Sequence, residues 1–187
     1  MRVVFIGPPG CGKGTQAKLV CDRMGLAYIG TGDILREEVR LSTPLGKQVE
    51  PYQKSGQLVP DTLVNDVVAE RFRRPDRPQR FVLDGYPRTV AQAKALDKVL
   101  AAQELPLQAV IHFQVDDEEV VKRLVARNRA DDLEETVRNR LQIYKDTSPE
   151  MLSYYQKRGL VHEIAADGPI ETVYKRIAHV LQTPAGA

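Results

Sequence analysis

The feature that most constrains this chain is a glycine-rich turn that joins an apolar strand to a helix. Residues 3–6 are apolar and lead directly into residues 7–15 (GPPGCGKGT), which we call the glycine-rich turn. The pattern of apolar and polar residues at 16–20 is typical of a helix. A backbone that turns this sharply and admits another molecule needs residues that tolerate positive φ and carry no side chain, and glycine meets both needs. The segment therefore predicts a strand–turn–helix unit, which favours an α/β fold.

The same turn has the chemistry of a phosphate-binding site. Backbone N–H groups at the start of a helix point toward a bound anion, and the helix dipole adds a partial positive charge. The spacing G-x-x-x-x-G-K lets Lys13 reach the β- and γ-phosphates of a nucleotide, as in a P-loop. Gly14 follows Lys13, so the hydroxyl expected near Mg²⁺ is moved one place along, to Thr15. The alternative is a turn that only packs the helix on a sheet, but the preceding strand and the lysine in register favour phosphate binding.

Short apolar runs alternate with longer helical segments along the rest of the chain. Strands are predicted at residues 3–6, 26–29, 80–84, 109–115 and 161–165, and the last helix at residues 169–181. This alternation predicts a parallel sheet with helices on both faces and right-handed crossovers. At 187 residues, of which 42% are hydrophobic, the chain is expected to form one domain, or a core domain that carries small inserted lobes. The predicted fold class is therefore α/β, with a five-stranded parallel sheet between two layers of helices.

Polar segments follow several of the predicted strands. Thr31 and Asp33 come after the second strand and are expected to open a helix over residues 34–41, whereas Asp84 and Arg88 come after the third strand. In an open parallel sheet, ligands gather outside the carboxyl ends of the strands. These segments and the glycine-rich turn therefore predict a single cleft at that edge of the sheet.

Asp84 and Arg88 are candidates for handling a metal ion and phosphates. Asp84 ends an apolar run, where a P-loop protein keeps a carboxylate for Mg²⁺ or its waters; the alternative is an aspartate that caps the next turn. Gly85 and Pro87 favour a tight turn that would aim Arg88 back over the strand ends. The alternative for Arg88 is a solvated surface arginine.

A group of arginines in the second half of the chain predicts an anion clamp. Arg123 and Arg127 are spaced to share one face of a predicted helix, and Arg129 and Arg140 follow. A solvated helical face is the ordinary interpretation of such a group, and we keep it for Arg138. Planar guanidinium groups suit phosphate oxygens. Because the chain already contains a phosphate-binding turn, a clamp is the preferred interpretation for the other arginines.

Composition argues against several classes of function. Lys and Arg total 27 against 25 Asp and Glu, and a net charge of +2 does not suit a general nucleic-acid-binding surface. Cys11 and Cys21 are the only cysteines, and without a metal-ligand spacing they predict neither a disulfide scaffold nor a structural zinc site. No apolar run approaches the roughly 20 residues of a membrane span, and no signal peptide is recognised. We therefore expect a cytoplasmic protein without nucleic-acid or membrane partners.

Taken together, the motifs resemble those of the adenylate kinases, in the short-lid group of nucleoside monophosphate kinases. The resemblance is carried, in family order, by residues 7–16, TGDILR at 31–36, GQLVPD at 56–61, DGYPR at 84–88 and RADD at 129–132. It implies transfer of the γ-phosphoryl of ATP to AMP with Mg²⁺, giving two ADP, on a P-loop core. It also implies an AMP-binding lobe at about residues 30–59 and a short lid at about 126–135, without the zinc site of long-lid members.

The resemblance further implies a role for each matching residue. ATP would be held by Gly10, Cys11, Gly12, Lys13, Gly14, Thr15, Arg123, Arg127 and Gly168, the last of which would line the adenine. AMP would be held by Thr31, Arg36, Gln57, Leu58, Val59, Gly85, Tyr86, Pro87, Arg88, Gln92, Arg129 and Arg140. Charge on the moving phosphoryl group would be neutralised by Lys13, Arg88, Arg123, Arg127 and Arg129, and Thr15 and Asp84 would approach Mg²⁺ through water. The family also implies a monomer whose partners are ATP, AMP and ADP.

Two other functions remain open from the sequence. UMP/CMP kinases resemble this chain closely but tend to carry Ala in place of Thr31 and Asn in place of Thr89; both threonines, and Gln92, favour AMP. A P-loop switch protein without transfer activity is the other alternative, and it has no need of the second nucleotide site that Arg36 suggests. Gly30 stands where the family usually has Ser, which removes a hydroxyl near the AMP site.

Overall fold

A parallel sheet organises the part of the chain that the structure describes. The structure, a computed structural model, describes residues 1–127 and 134–182, with the backbone alone at 125–127. Within these residues, five strands pair in parallel in the order β2-β3-β1-β4-β5. The strands are β1 (Arg2–Ile6), β2 (Ala27–Gly30), β3 (Phe81–Asp84), β4 (Ala109–Gln114) and β5 (Val161–Ala165). The predicted α/β class with a five-stranded parallel sheet is confirmed.

Helices connect the strands and cover the sheet. They are α1 (Lys13–Met24), α2 (Thr31–Arg40), α3 (Pro44–Ser55), α4 (Asp61–Arg73), α5 (Val90–Ala101), α6 (Asp117–Arg127), α7 (Glu134–Gln156) and α8 (Ile170–Gln182). None of these helices, within the described ranges, is both long and apolar enough to cross a bilayer. The side chain of Arg127, all of Arg129 and most of the predicted lid lie outside the described residues.

Side chains that alternate along the strands give the sheet two buried faces. Val4 and Ile6 of β1 pack in one cluster with residues of α2, α3, α4, α5 and α7. Val3 and Phe5 pack in the other cluster with residues of α1 and α8. Successive side chains of a strand point to opposite faces, so the continuous apolar run in β1 is what a strand buried on both faces requires. The prediction of helices on both faces is thereby confirmed.

Two helices begin elsewhere than the sequence predicts. Helix α2 begins at Thr31 rather than residue 34, because Gly30 keeps an extended backbone and serves as its N-cap. Asp33 therefore lies in the first turn of α2, where the helix dipole favours a negative charge. Helix α8 begins at Ile170, directly after Pro169 and not at it.

The strand register brings separate polar segments to one edge of the sheet. Asp84, the last residue of β3, pairs with Phe5 of β1 on one side and with Gly30 of β2 on the other. The glycine-rich turn follows β1, and Thr31 follows β2 directly. Three segments that are distant in sequence therefore meet around Asp84 at the carboxyl edge of the sheet.

The packing of Phe72 gives a test of the core that does not involve the cleft. Phe72 of α4 is fully buried, and its ring meets that of Phe81 edge-on with centroids 5.0 Å apart. Phe72→Ala is expected to lower the free energy of unfolding by about 3–5 kcal/mol, since it removes a large buried ring and leaves a cavity. Urea denaturation followed by circular dichroism measures this. The control Leu41→Ala, at a side chain that is 55% exposed, should change the same free energy by less than about 0.5 kcal/mol; equal effects would contradict the described packing.

Candidate active site

A cleft of about 670 Å³ opens at the carboxyl edge of the sheet. The sequence-predicted residues that line it are Gly10, Cys11, Gly12, Lys13, Gly14, Thr15, Thr31, Arg36, Gln57, Leu58, Val59, Asp84, Gly85, Pro87, Arg88, Gln92, Arg123, Arg140 and Gly168. Tyr86 is not brought to the cleft wall. Its side chain is buried in the core, with the hydroxyl 2.6 Å from Asn65 Oδ1 and 3.0 Å from the backbone oxygen of Gln92.

The glycine-rich turn wraps closely around the end of β1. Gly10 and Gly12 have φ values of 80° and 97°, a region that favours glycine. A Cβ on Gly10 would also stand 2.6 Å from Cγ of Leu124 in α6, so this position is closed to side chains on two grounds. Helix α1 begins at Lys13 with Gly12 as its N-cap and without a side-chain capping bond. The N–H groups at the start of α1 therefore depend on backbone geometry and on a ligand for their partners.

Lys13 folds its side chain back into the glycine-rich turn. Its ammonium donates to the backbone oxygens of Gly7, at 2.6 Å, and Pro8, at 2.8 Å, and lies 3.5 Å from Sγ of Cys11. A positive charge is thereby held at the mouth of the turn. The contacts are all within the turn itself, so the side chain can exchange them for phosphate oxygens without disturbing a distant element.

Two carboxylates, Asp33 and Asp84, line the cleft. Asp84 Oδ2 lies 3.4 Å from the position that a Cβ on Gly14 would occupy. The Tyr28 hydroxyl lies 2.8 Å from Asp33 Oδ2 and 3.3 Å from Asp84 Oδ2, and so connects the two carboxylates. Burial disfavours ionisation of Asp33, but hydrogen bonds from Arg36 and Tyr28 outweigh it and hold the pKa of Asp33 below its ordinary value. Burial, with the charges of Asp84 and Asp33, raises the pKa of Tyr28, which keeps its hydroxyl protonated as a donor.

The side of the cleft formed by α2 and the segment after β3 contains the predicted AMP residues. The Thr31 hydroxyl donates to the backbone oxygen of Asp84 at 3.1 Å. The Arg36 guanidinium donates to Asp33 Oδ1 at 2.5 Å. Gln92 accepts from the Arg88 backbone N–H at 2.7 Å and donates to Asp61 Oδ1 at 2.8 Å. The side chains on this side are therefore held in place by one another.

Arg88 projects into the cleft from the turn after β3. Its Nε donates to the backbone oxygen of Gly85 at 2.9 Å. Loss of hydration among the surrounding protein atoms lowers the pKa of Arg88, and the charge of Arg140 acts in the same direction while Asp84 opposes both. An arginine keeps its charge in proteins even so. Close positive charges at this point are what a polyphosphate would neutralise.

The opposite end of the cleft is built by α6, α8 and the end of β5. Arg123 of α6 donates to the backbone oxygen of Ala166 at 3.2 Å and to Glu119 Oε1 at 2.9 Å. Gln16, on α1, donates to the backbone oxygen of Ile170 at 2.8 Å. Arg123 thus lies beside the segment that contains Gly168, the predicted adenine position.

The residues predicted to approach Mg²⁺ fit such an ion. Mg²⁺ prefers oxygen ligands and usually keeps several waters, with one or two carboxylates and the substrate phosphates as its other ligands. Thr15 and Asp84 supply a hydroxyl and a carboxylate to the same cleft. Among the described residues, no group of three or more His, Cys, Asp and Glu side chains stands close enough to hold a metal ion alone.

Sequence reasoning missed three residues that shape the cleft. Tyr28 joins the carboxylates of Asp33 and Asp84, and Asp61 holds the side chain of Gln92. Gln16 ties the first turn of α1 to the first residue of α8. A tyrosine near the end of a strand and a polar residue near a helix start are ordinary features, so the sequence contains no signal that identifies these contacts.

Comparison with known proteins identifies close relatives. A family model described as adenylate kinase matches residues 5–160. An adenylate kinase of Thermobifida fusca is 44% identical over 189 residues, which covers 99% of this chain and all of that protein. An adenylate kinase of Synechococcus sp. (strain CC9902) is 42% identical over 180 residues, covering 96% of this chain and 98% of the relative. One of Nocardia farcinica is 43% identical over 181 residues, covering 97% and 99%.

Proposed function

The chain belongs to the adenylate kinase family, and we propose that it carries out the family's reaction by holding ATP and AMP end to end in the cleft. It is a nucleoside monophosphate kinase, an ATP:AMP phosphotransferase that produces two ADP. The observation that carries the proposal is that a single cleft is lined both by the glycine-rich turn and by Thr31, Arg36 and Arg88. A protein that binds only one nucleotide needs just the first of these groups.

The proposed arrangement assigns the glycine-rich turn to ATP and the opposite side to AMP. The backbone N–H groups from Gly10 to Thr15 would hold the ATP phosphates, and the adenine would lie near Gly168. Arg123 supports this placement of the base, since it stands beside Ala166. Thr31, Arg36, Gly85, Pro87, Gln92, Arg140 and the segment from Gln57 to Val59 would hold AMP. Arg127 and Arg129 remain predictions for the phosphates, and Tyr86 would contribute through its backbone.

The reaction needs no protein nucleophile. A phosphate oxygen of AMP attacks the γ-phosphorus of ATP in line, and the bond from that phosphorus to the β–γ bridging oxygen breaks, so that two ADP molecules result. Lys13 and Arg88 would neutralise the charge on the oxygens of the moving group from the two ends of the cleft. Lys13 would exchange its bonds to the backbone oxygens of the glycine-rich turn for phosphate oxygens, and Arg88 is already oriented by its bond to the oxygen of Gly85.

Metal binding belongs to the same proposal. Mg²⁺ bound with ATP would add positive charge to the phosphate oxygens. Thr15 and Asp84 would hold its water ligands rather than contact it directly. The carboxylate of Asp33, connected to Asp84 through Tyr28, adds negative charge to the same wall of the cleft.

The proposal also extends to the cellular setting. We propose a cytoplasmic monomer that works without nucleic-acid or membrane partners. A net charge of +2 supports the absence of a general nucleic-acid surface. The predicted AMP-binding lobe (about 30–59) and short lid (about 126–135) would close over the substrates and exclude water, which could otherwise accept the phosphoryl group.

An acceptor panel tests the function. Purified protein with ATP and Mg²⁺ is given AMP, UMP, CMP or no acceptor, and the nucleoside diphosphates are separated by ion-exchange chromatography. We expect AMP to give the highest kcat/KM, and ATP hydrolysis without an acceptor to be slower than transfer to AMP by about 10³-fold or more, since water must be excluded for transfer to dominate. A preference for UMP or CMP would identify a pyrimidine monophosphate kinase. Equal rates with and without AMP would indicate an ATPase.

A further inference from the structure

Tyr28 fills the space above Gly30 in the wall of the cleft. Both residues belong to β2, two positions apart, so they lie on the same side of the strand. A Cβ on Gly30 would stand 2.6 Å from Cζ and 2.8 Å from Cε1 of the Tyr28 ring, closer than side chains approach. The ring therefore needs glycine at position 30. Gly30 stands in place of the usual Ser, and the Tyr28 hydroxyl occupies the space beside it.

The Tyr28 hydroxyl is a hydrogen-bond partner of Asp33 that comes from outside helix α2. It lies 2.8 Å from Asp33 Oδ2, while the other oxygen of this carboxylate, Oδ1, accepts from Arg36 at 2.5 Å. Arg36 and Asp33 are both on α2, whereas Tyr28 is on the sheet. The carboxylate of Asp33 is thus shared between an arginine of its own helix and a phenol fixed to the core.

Binding of a monophosphate changes the balance between these two partners. In the proposed function Arg36 holds AMP; we take its ligand to be the phosphate, which then competes with Asp33 Oδ1 for the guanidinium. Where the phosphate wins, Asp33 Oδ1 loses a charged hydrogen bond and keeps only water as a partner, since this side chain is 44% exposed. Tyr28 keeps one oxygen of Asp33 hydrogen-bonded throughout, because the phenol is held by β2 and not by α2.

We propose that Tyr28 is a positioning residue for monophosphate binding: its hydroxyl satisfies Asp33, and thereby releases Arg36 to the phosphate of AMP. The inference rests on the proposed function, which assigns Arg36 to AMP, and adds that the phosphate is the part that Arg36 binds. Without the phenol hydroxyl, Asp33 depends on Arg36, and the arginine is retained on the carboxylate instead of the ligand. The effect should therefore concern ligands that carry a phosphate, and not the nucleoside part.

The test is the affinity of Tyr28→Phe for AMP and for adenosine, without ATP or Mg²⁺. The substitution keeps the ring above Gly30 and removes the hydroxyl alone. Chemical-shift titration by NMR should show the Kd for AMP raised by about tenfold, the size expected for one hydrogen bond to a charged group. The Kd for adenosine should change by less than about twofold. Tyr174→Phe is the matched control: that ring packs against Arg23, away from the cleft, and its loss of a hydroxyl should leave both affinities unchanged.

A second variant separates this role from a general loosening of the cleft. Asp33→Asn removes the charge that holds Arg36, so adding Tyr28→Phe to it should alter the Kd for AMP by less than about twofold. The proposal is overturned if Tyr28→Phe binds AMP as the unmodified protein does, if adenosine loses affinity equally, or if the tenfold loss persists with Asp33→Asn. An unmodified protein that binds no AMP would contradict the proposed function itself, and this inference with it.

Discussion

Lys13→Met is expected to lower kcat for ADP formation by about 10²- to 10³-fold, the effect of removing one preorganised charged donor from a transfer site. The ammonium is held 2.6 Å from the oxygen of Gly7 and 2.8 Å from that of Pro8, inside the glycine-rich turn. Methionine has similar length but no charge, so the turn keeps its bulk and loses the cation that would approach the β- and γ-phosphates. A coupled assay of ADP formation, at saturating AMP and Mg²⁺, measures the loss.

The matched control for Lys13→Met is Lys94→Met on the exposed side of α5. It removes the same charge at a distance from the glycine-rich turn, and its kcat should stay within about twofold of the unmodified protein. Thermal unfolding of both variants shows whether they remain folded. A folded Lys13→Met protein with near-normal turnover would contradict the role given to this lysine, and with it the assignment of ATP to the glycine-rich turn.

The fold and the position of the cleft were predictable because they follow from local patterns. Apolar runs that lead into polar segments identify the carboxyl ends of β1, β2 and β3, and parallel pairing brings those ends together. The start of α2 at Thr31 was harder to predict from the sequence. An extended Gly30 can end a strand and cap a helix at once, and no residue between the two elements marks the boundary.

The contacts that hold the cleft residues were not predictable, because they join side chains that are distant in sequence. Asp61 accepts from both Thr89 and Gln92, which belong to a different segment. Tyr28 reaches Asp84 only because β2 and β3 are neighbours with Gly30 opposite Asp84. A sequence shows which residues can form hydrogen bonds, whereas the choice among partners depends on a register that exists only in the folded sheet.

Arg88 enters the cleft from the turn after β3, on the side opposite the glycine-rich turn. Its backbone N–H donates to Gln92 and its Nε donates to the oxygen of Gly85, so the side chain leaves the turn in a fixed direction. The lowered pKa of Arg88 reflects its loss of hydration and the nearby charge of Arg140. Two cations this close together would both be drawn to the negative charge that develops on a transferring phosphoryl group.

Arg88→Gln is accordingly expected to lower kcat by about 10²- to 10³-fold while the KM for ATP changes by less than about threefold, since the interaction strengthens as charge develops on the moving group. Arg88→Lys keeps the charge without the planar fork and should retain an intermediate rate. The control is Arg138→Gln, which removes an arginine that is 66% exposed and paired with Glu134 on the outside of α7. Steady-state kinetics with varied ATP give kcat and the KM for ATP of each of these three variants. If Arg138→Gln lost as much kcat as Arg88→Gln, the loss would reflect the overall positive charge of the protein and not a cation fixed beside the γ-phosphoryl.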